Sequence, residues 1–217
     1  MNAFPIILSA PSGAGKTSIA QGLLARRPDV GYSVSCTTRE PRPGERPGED
    51  YHFVSTKDFL ARRAAGEFAE SAQVHGNLYG TLRSEVQRVL LSGRHVVMDI
   101  DVQGAVQFRK AFPDSVAVFV LPPSGEVMLE RLRARGTEDG EALARRMISA
   151  LEELRSVTDY HYVVTNDVIE ETVARVSAIL DAEMVRRDRL RDLDASVRVL
   201  IARLQREIDD KPHEESS

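Results

Sequence analysis

The sequence predicts an α/β fold: a parallel sheet core flanked by helices, built on a phosphate-binding loop, with an inserted lobe of short strands. Apolar runs of strand length near 4–9, 32–35, 95–101, 116–121 and 161–165 alternate with segments of helical periodicity. That rhythm belongs to a parallel sheet with right-handed crossovers. The first run leads directly into Ser9-Ala10-Pro11-Ser12-Gly13-Ala14-Gly15-Lys16-Thr17, a glycine-rich turn that opens a helix. Between residue 35 and about residue 80, short strands and turns replace the long alternation, which predicts the insertion.

The first strand, Phe4-Pro5-Ile6-Ile7-Leu8, is apolar throughout, as a strand buried on both faces should be. The helix after the loop has apolar positions at helical spacing and stops at Pro28. Strand, glycine turn and helix together form the setting of a P-loop. Gly13 and Gly15 let successive backbone N–H groups face one concave site, and the helix adds the positive end of its dipole. Lys16 can reach a β/γ-phosphate, and the Thr17 hydroxyl can sit on Mg²⁺. The motif G-x-x-x-x-G-K-[ST] departs at its first position, where this chain has Ala10.

Tyr32-Ser33-Val34-Ser35 reads as the second strand. The segment Cys36–Asp50 holds three prolines and two glycines and reads as a loop. It carries Arg39, Arg42 and Arg46, guanidiniums suited to an anionic group, although a solvated charged loop has the same composition. Residues 51–54 resume as a strand, 55–65 form a short helix ended by Gly66, and 67–75 alternate as a strand. Gly76-Asn77 makes a turn before Leu78-Tyr79-Gly80-Thr81, and a helix runs from about Leu82 to Leu91.

Residues 94–101 are the clearest buried strand, and it ends in Asp99 and Asp101. In an open parallel sheet ligands gather at the carboxyl ends of the strands, so these two acids stand where Mg²⁺ or substrate would be. A helix over 102–110 follows, then a strand over 115–121 ended by Pro122-Pro123. Two basic helices, 125–135 and about 141–156, meet at Gly136 and Gly140, and read either as a mobile lid or as a solvated hairpin. A last strand over 161–166 precedes a helix that starts near Asp167 and shows no stop signal. Along it Leu190, Leu193, Val197, Leu200 and Leu204 recur by three and four. Two readings stay open for this tail: a helix folded back on its own domain, or a homodimer through a coiled-coil-like seam.

Composition narrows the function class. The 217 residues are 42% hydrophobic and 29% charged with a net charge of −4, without the basic stripe that a nucleic acid polymer would require. No apolar run reaches the ~18 residues of a membrane span, so no membrane partner is expected. The opening residues lack the basic-then-apolar pattern of a leader. Cys36 is the single cysteine, which excludes an internal disulfide and suits a cytoplasmic protein. The five histidines are scattered without metal-ligand spacing, so no structural zinc is expected.

With these residues in hand, the chain resembles the guanylate kinases from about residue 4 to about residue 183. The core Ser12-Gly13-Ala14-Gly15-Lys16-Thr17 is common to many nucleotide triphosphatases. The run Ser33-Val34-Ser35-Cys36-Thr37-Thr38-Arg39-Glu40-Pro41-Arg42-Pro43-Gly44-Glu45 is specific and resembles the family's S-x-S-x-T-T-R-x-P-R-x-G-E signature. Asp50–Phe53, Gly76–Thr81, Asp99–Gly104, Arg135-Gly136-Thr137 and Asn166-Asp167 resemble further blocks in the family's order.

The resemblance implies phosphoryl transfer from ATP to GMP with Mg²⁺, giving ADP and GDP. It turns the insertion into a nucleotide-monophosphate-binding lobe, 35–81, and the basic helices into a helical lid about 135–146. The P-loop core is then 1–34 with 82–183, and 184–217 is a C-terminal helical extension. By position Arg39, Arg42, Tyr51 and Tyr79 would hold the GMP phosphate, and Ser35, Glu70, Thr81 and Asp101 would face guanine. Ser12, Gly13, Ala14, Gly15, Lys16, Thr17 and Ser18 would hold ATP, with Asn166 on its adenine side. Lys16, Arg135 and Arg146 would act on the transferring phosphates, and Asp99 would organise magnesium-bound water beside Thr17. Guanylate-kinase-like domains also occur as non-catalytic protein-binding modules, which typically lack a working phosphate loop.

Overall fold

The computed structural model describes residues 3–11, 13–74, 76–134, 140–190 and 192–209. In chain order the elements are β1 (Pro5–Ser9), α1 (Lys16–Arg26), β2 (Val30–Tyr32), β3 (Cys36–Thr37), β4 (His52–Phe53) and α2 (Thr56–Ala64). There follow β5 (Phe68–Val74), β6 (Asn77–Leu82), α3 (Arg83–Leu91), β7 (His95–Asp99), α4 (Val102–Ala111) and β8 (Val116–Leu121). The rest are α5 (Gly125–Ala134), α6 (Gly140–Arg155), β9 (Tyr162–Thr165), α7 (Ile169–Met184) and α8 (Leu193–Asp209). Contacts divide the chain into a body, 3–178, and a C-terminal unit that starts at Ile179.

The body contains two sheets. The core sheet has the order β2-β7-β1-β8-β9, with every pairing parallel. β1 lies in its middle and is buried over its whole length, which is why its sequence is a continuous apolar run rather than an alternation. One core cluster packs Ile7, Val96, Met98 and Ala117 of the sheet against Val86 and Val89 of α3 and Ala105 and Phe108 of α4. Because all five strands are parallel, their carboxyl ends lie along one edge, and β1, β2 and β7 deliver the P-loop, Tyr32 and Asp99 there.

The second sheet has the order β4-β3-β6-β5 and is formed entirely within 36–82. β5 and β6 are an antiparallel hairpin in which Glu70 faces Thr81, with a register shift between Phe68 and Glu70. A small cluster of Cys36, Phe59, Phe68 and Leu82 anchors this sheet, with the Phe59 and Phe68 rings stacked at 4.4 Å. Burial pushes the Cys36 thiol up to about 11, so it stays protonated and acts as a small apolar residue.

Two expectations are corrected. The strand expected at 32–35 ends at Tyr32, because its last partner on β7 is Val97. Ser33–Ser35 then carry the chain out of one sheet and into the other, where β3 begins at Cys36. The single long helix expected from 167 is two helices, α7 and α8, separated by a short 3-10 turn at Arg187–Arg189. No glycine or proline marks that break. Side chains make it: Glu183 accepts from Arg186 and Arg189, Arg186 pairs with Asp188, and Asp192 takes a left-handed φ of 59°. Asp is among the few residues that tolerate this conformation.

No helix among the described residues is long and apolar enough to cross a membrane.

Candidate functional site

The P-loop is built from left-handed glycines. Gly13 has φ 88° and Gly15 φ 91°, values that favour glycine, and a Cβ on Gly15 would stand 2.5 Å from Asn166 Nδ2. Ala10 is buried and is not among the residues with positive φ. The backbone therefore asks for no glycine at position 10, and the departure from the motif leaves the loop unstrained. Ala14 N donates to Pro11 O across the turn, and Lys16 Nζ donates to Ala10 O at 2.8 Å. Asn166, at the end of β9, donates Nδ2 to Ala14 O at 2.7 Å and accepts at Oδ1 from Thr172 Oγ1. Thr17 and Ser18 are exposed on the first turn of α1.

Asp99 ends β7 beside this loop. Its Oδ2 accepts from Thr17 Oγ1 at 2.7 Å and its Oδ1 from Tyr32 OH at 2.9 Å. Thr17 has one hydroxyl proton, so giving it to Asp99 leaves the oxygen's lone pairs for a cation. A hydroxyl and a carboxylate are hard oxygen donors of the kind magnesium takes, along with waters and substrate phosphates. Among the described residues no group of three or more His, Cys, Asp or Glu could hold a metal by itself, so any ion here would need those other donors.

The insertion lobe gathers a second set of groups. Glu70 is buried and its Oε1 accepts from Thr81 Oγ1 at 2.7 Å; Thr81 Oγ1 lies 3.2 Å from Ser35 Oγ. Asp101 caps α4, its Oδ1 accepting from Gly104 N at 2.7 Å. A Cβ on Gly104 would stand 3.0 Å from Glu70 Oε2 and 3.3 Å from Asp101 Oδ1, so the glycine lets the two carboxylates share one niche. Burial raises the Glu70 carboxyl to about 7, with Asp101 adding to the rise and the Thr81 hydrogen bond opposing it. Such a perturbed acid in a niche is a mark of a working site.

Arg39, Tyr51 and Tyr79 also converge. Arg39 Nε donates to Tyr79 OH at 3.2 Å, and its guanidinium lies 5.6 Å from the centre of the Tyr51 ring. Glu45 holds the same guanidinium, accepting from it at 2.8 and 3.0 Å, and also accepts from Arg42 N. The Arg42 side chain is exposed. Burial and then the Asp99 charge push the Tyr51 phenol up.

Thus Lys16, Thr17, Asn166 and Asp99 form one group, Ser35, Glu70, Thr81 and Asp101 a second, and Arg39, Tyr51 and Tyr79 a third. Arg146 is half-buried on α6, with no bond to any of them assigned. Ser12 and Arg135 lie outside the described residues. Two side chains without an expected role join these groups, Tyr32 on Asp99 and Thr172 on Asn166. Nothing in the sequence singled out either: Tyr32 meets Asp99 from a strand 67 residues away, and Thr172 reaches back six residues to Asn166 from an ordinary position on α7.

The family described as guanylate kinase matches residues 2–183. A guanylate kinase of Aromatoleum aromaticum is 48% identical over 181 residues, 83% of this chain and 89% of its own length. One of Clostridium perfringens is 44% identical over 187 residues, 86% of this chain and 87% of its own. The crystal structure of guanylate kinase from Anaplasma phagocytophilum superposes with a TM-score of 0.73 at 35% identity, covering 89% of this chain and 93% of that one.

Proposed function

The chain belongs to the guanylate kinase family and is an ATP:GMP phosphotransferase, and from its site we propose which residues carry that reaction. The observation that carries the assignment is the buried Glu70 carboxylate with Ser35, Thr81 and Asp101 around it. Guanine presents two donors on one edge, the ring N1–H and the exocyclic amine. An ionised carboxylate only accepts, so Glu70 takes both. Adenine has a bare ring nitrogen at that position, which would face the carboxylate lone pair to lone pair and leave a desolvated charge unpaired. Arg39, Arg42, Tyr51 and Tyr79 hold the GMP phosphate, and Glu45 keeps Arg39 aimed before GMP arrives.

On the donor side Ser12, Gly13, Ala14, Gly15, Lys16, Thr17 and Ser18 wrap the ATP phosphates. Asn166 stands on the adenine side and ties the loop through Ala14. Lys16 exchanges its loop carbonyl for phosphate oxygen. Thr17 would hold Mg²⁺, with Asp99 organising its bound water, and the ion would supply positive charge against the phosphates. Arg135 and Arg146 belong to a lid, about 135–146, that brings positive charge over the transferring group and excludes water. The acceptor is already a phosphate anion, so positioning and charge neutralisation suffice and no strong base is required.

In this reading residues 1–34 and 82–183 are the P-loop core, 35–81 the GMP-binding lobe, and 184–217 an extension through which two copies associate. The protein works in the cytoplasm. The non-catalytic reading has no observation in its favour. ADP release measured with GMP, AMP, UMP and dTMP offered in parallel tests the acceptor assignment. Turnover should be confined to GMP, by roughly 10⁴-fold over AMP. Comparable rates with AMP would remove Glu70 from guanine recognition.

A further inference from the structure

We propose that Tyr32 is a positioning residue for the donor site, fixing the Asp99 carboxylate so that Thr17 presents its lone pairs to the metal. This rests on the assignment of Thr17 and Asp99 to magnesium made above. Tyr32 is the last residue of β2 and pairs with Val97 of β7. Asp99 lies two residues further along the same strand, and alternate residues share a face. The phenol therefore lies along the sheet toward Asp99 and donates to Oδ1 at 2.9 Å, while Thr17 Oγ1 donates to Oδ2 at 2.7 Å.

These two bonds act on opposite oxygens of one carboxylate. The terminal torsion of an aspartate is broad, so one bond alone leaves the group free to turn. With both oxygens held, the carboxylate plane is fixed and the Thr17 proton has one place to go. Removal of the phenol oxygen frees Oδ1 to seek water, and Asp99 is only half-buried, so water is within reach. Thr17 can then rotate its proton toward the cation side. A phenylalanine or leucine would fill the same strand position and give none of this.

Calorimetric titration of ATP without GMP, with magnesium and then with EDTA, tests the idea without turnover. The readout is the factor by which magnesium tightens ATP binding. Tyr32→Phe keeps the ring and removes one oxygen. It should lower that factor about tenfold, the effect of one hydrogen bond to a charged group. Metal-free ATP affinity and GMP affinity should stay within about twofold. A factor unchanged in Tyr32→Phe but lowered in Thr17→Ala or Asp99→Ala overturns the role of Tyr32 and leaves the metal assignment standing. If none of the three variants alters the factor, the assignment falls and Tyr32 falls with it. Equal weakening of all three titrations by Tyr32→Phe would mark an ordinary packing role and would also overturn the proposal.

Discussion

Glu70 is asked to do two things that conflict. Its niche excludes water, which pushes its carboxyl up to about 7 from an ordinary value of 4.5. Guanine recognition needs the ionised form. Between those two values the folded protein binds more protons at this site than the unfolded chain does, so stability falls as pH rises from 4.5 through 7 and is level above. The cost of holding the charge at pH 8 is roughly 3 kcal/mol. Glu70→Gln removes it, and the variant should melt higher than the parent at pH 8 and near it at pH 5. Binding should move the opposite way. GMP affinity should climb up to about pH 7 and then level, with a second break near 6 from the nucleotide's own phosphate. In Glu70→Gln the break at 7 should vanish and the one near 6 remain, with affinity lower throughout. Thermal melts and GMP titrations across that pH range are the check. A parent curve without a break at 7 would mean that Glu70 is already ionised in the free site.

The element that couples the lobe to the core is α4. Asp101 caps its first turn, Gly104 lets it lie against Glu70, and the Gln107 amide bonds to both N and O of Ser71, at 3.1 Å each. Gln107 thus stands in for a missing strand neighbour at the edge of β5. Gly104→Ala places a methyl group 3.0 Å from Glu70 Oε2, so the carboxylate must give by a few tenths of an ångström. KM for GMP should rise roughly 3–10-fold while KM for ATP stays level, since small misplacements are costly at a positioned group. Steady-state kinetics with each substrate varied separates the two. Equal changes would mean that α4 has shifted the P-loop as well. This element also marks how far the sequence could be read. The helix over 102–110 was legible from its periodicity, and the acids at the end of β7 from the rule for parallel sheets. The handover at Ser33–Ser35 was not, and the grouping of Glu70 with Asp101 came from the family resemblance alone, not from the pattern of residues. Both depend on which strands lie side by side, which periodicity along one strand does not encode.

At the scale of the molecule, the family match ends at residue 183 and the chain continues. The three/four spacing of leucines there was legible, but the break was not, because charged side chains and Asp192 end α7 where glycine or proline would have been the readable signal. α8 presents Val197, Leu200, Ile201, Leu204 and Ile208, each at least 42% exposed, at helical spacing that puts them on one face. An exposed apolar stripe of this kind marks an interaction surface, and a second copy is the occupant proposed for it above. The cut that tests this must respect Glu183. This carboxylate is 2% exposed and is balanced by Arg186 and Arg189. Truncation directly after Glu183 would strip both arginines and cost stability, confusing lost association with lost stability. Truncation after Leu190 keeps the arginines and removes α8. That shortened protein should retain kcat and both KM values within about twofold, because every residue assigned to the reaction lies before 178, and melt near the parent. Its mass by sedimentation should be that of a single chain while the full chain sediments as a dimer. Equal association states for the two would rule out a second copy as the partner of α8. Lost activity with an unchanged association state would instead tie the extension to the reaction itself.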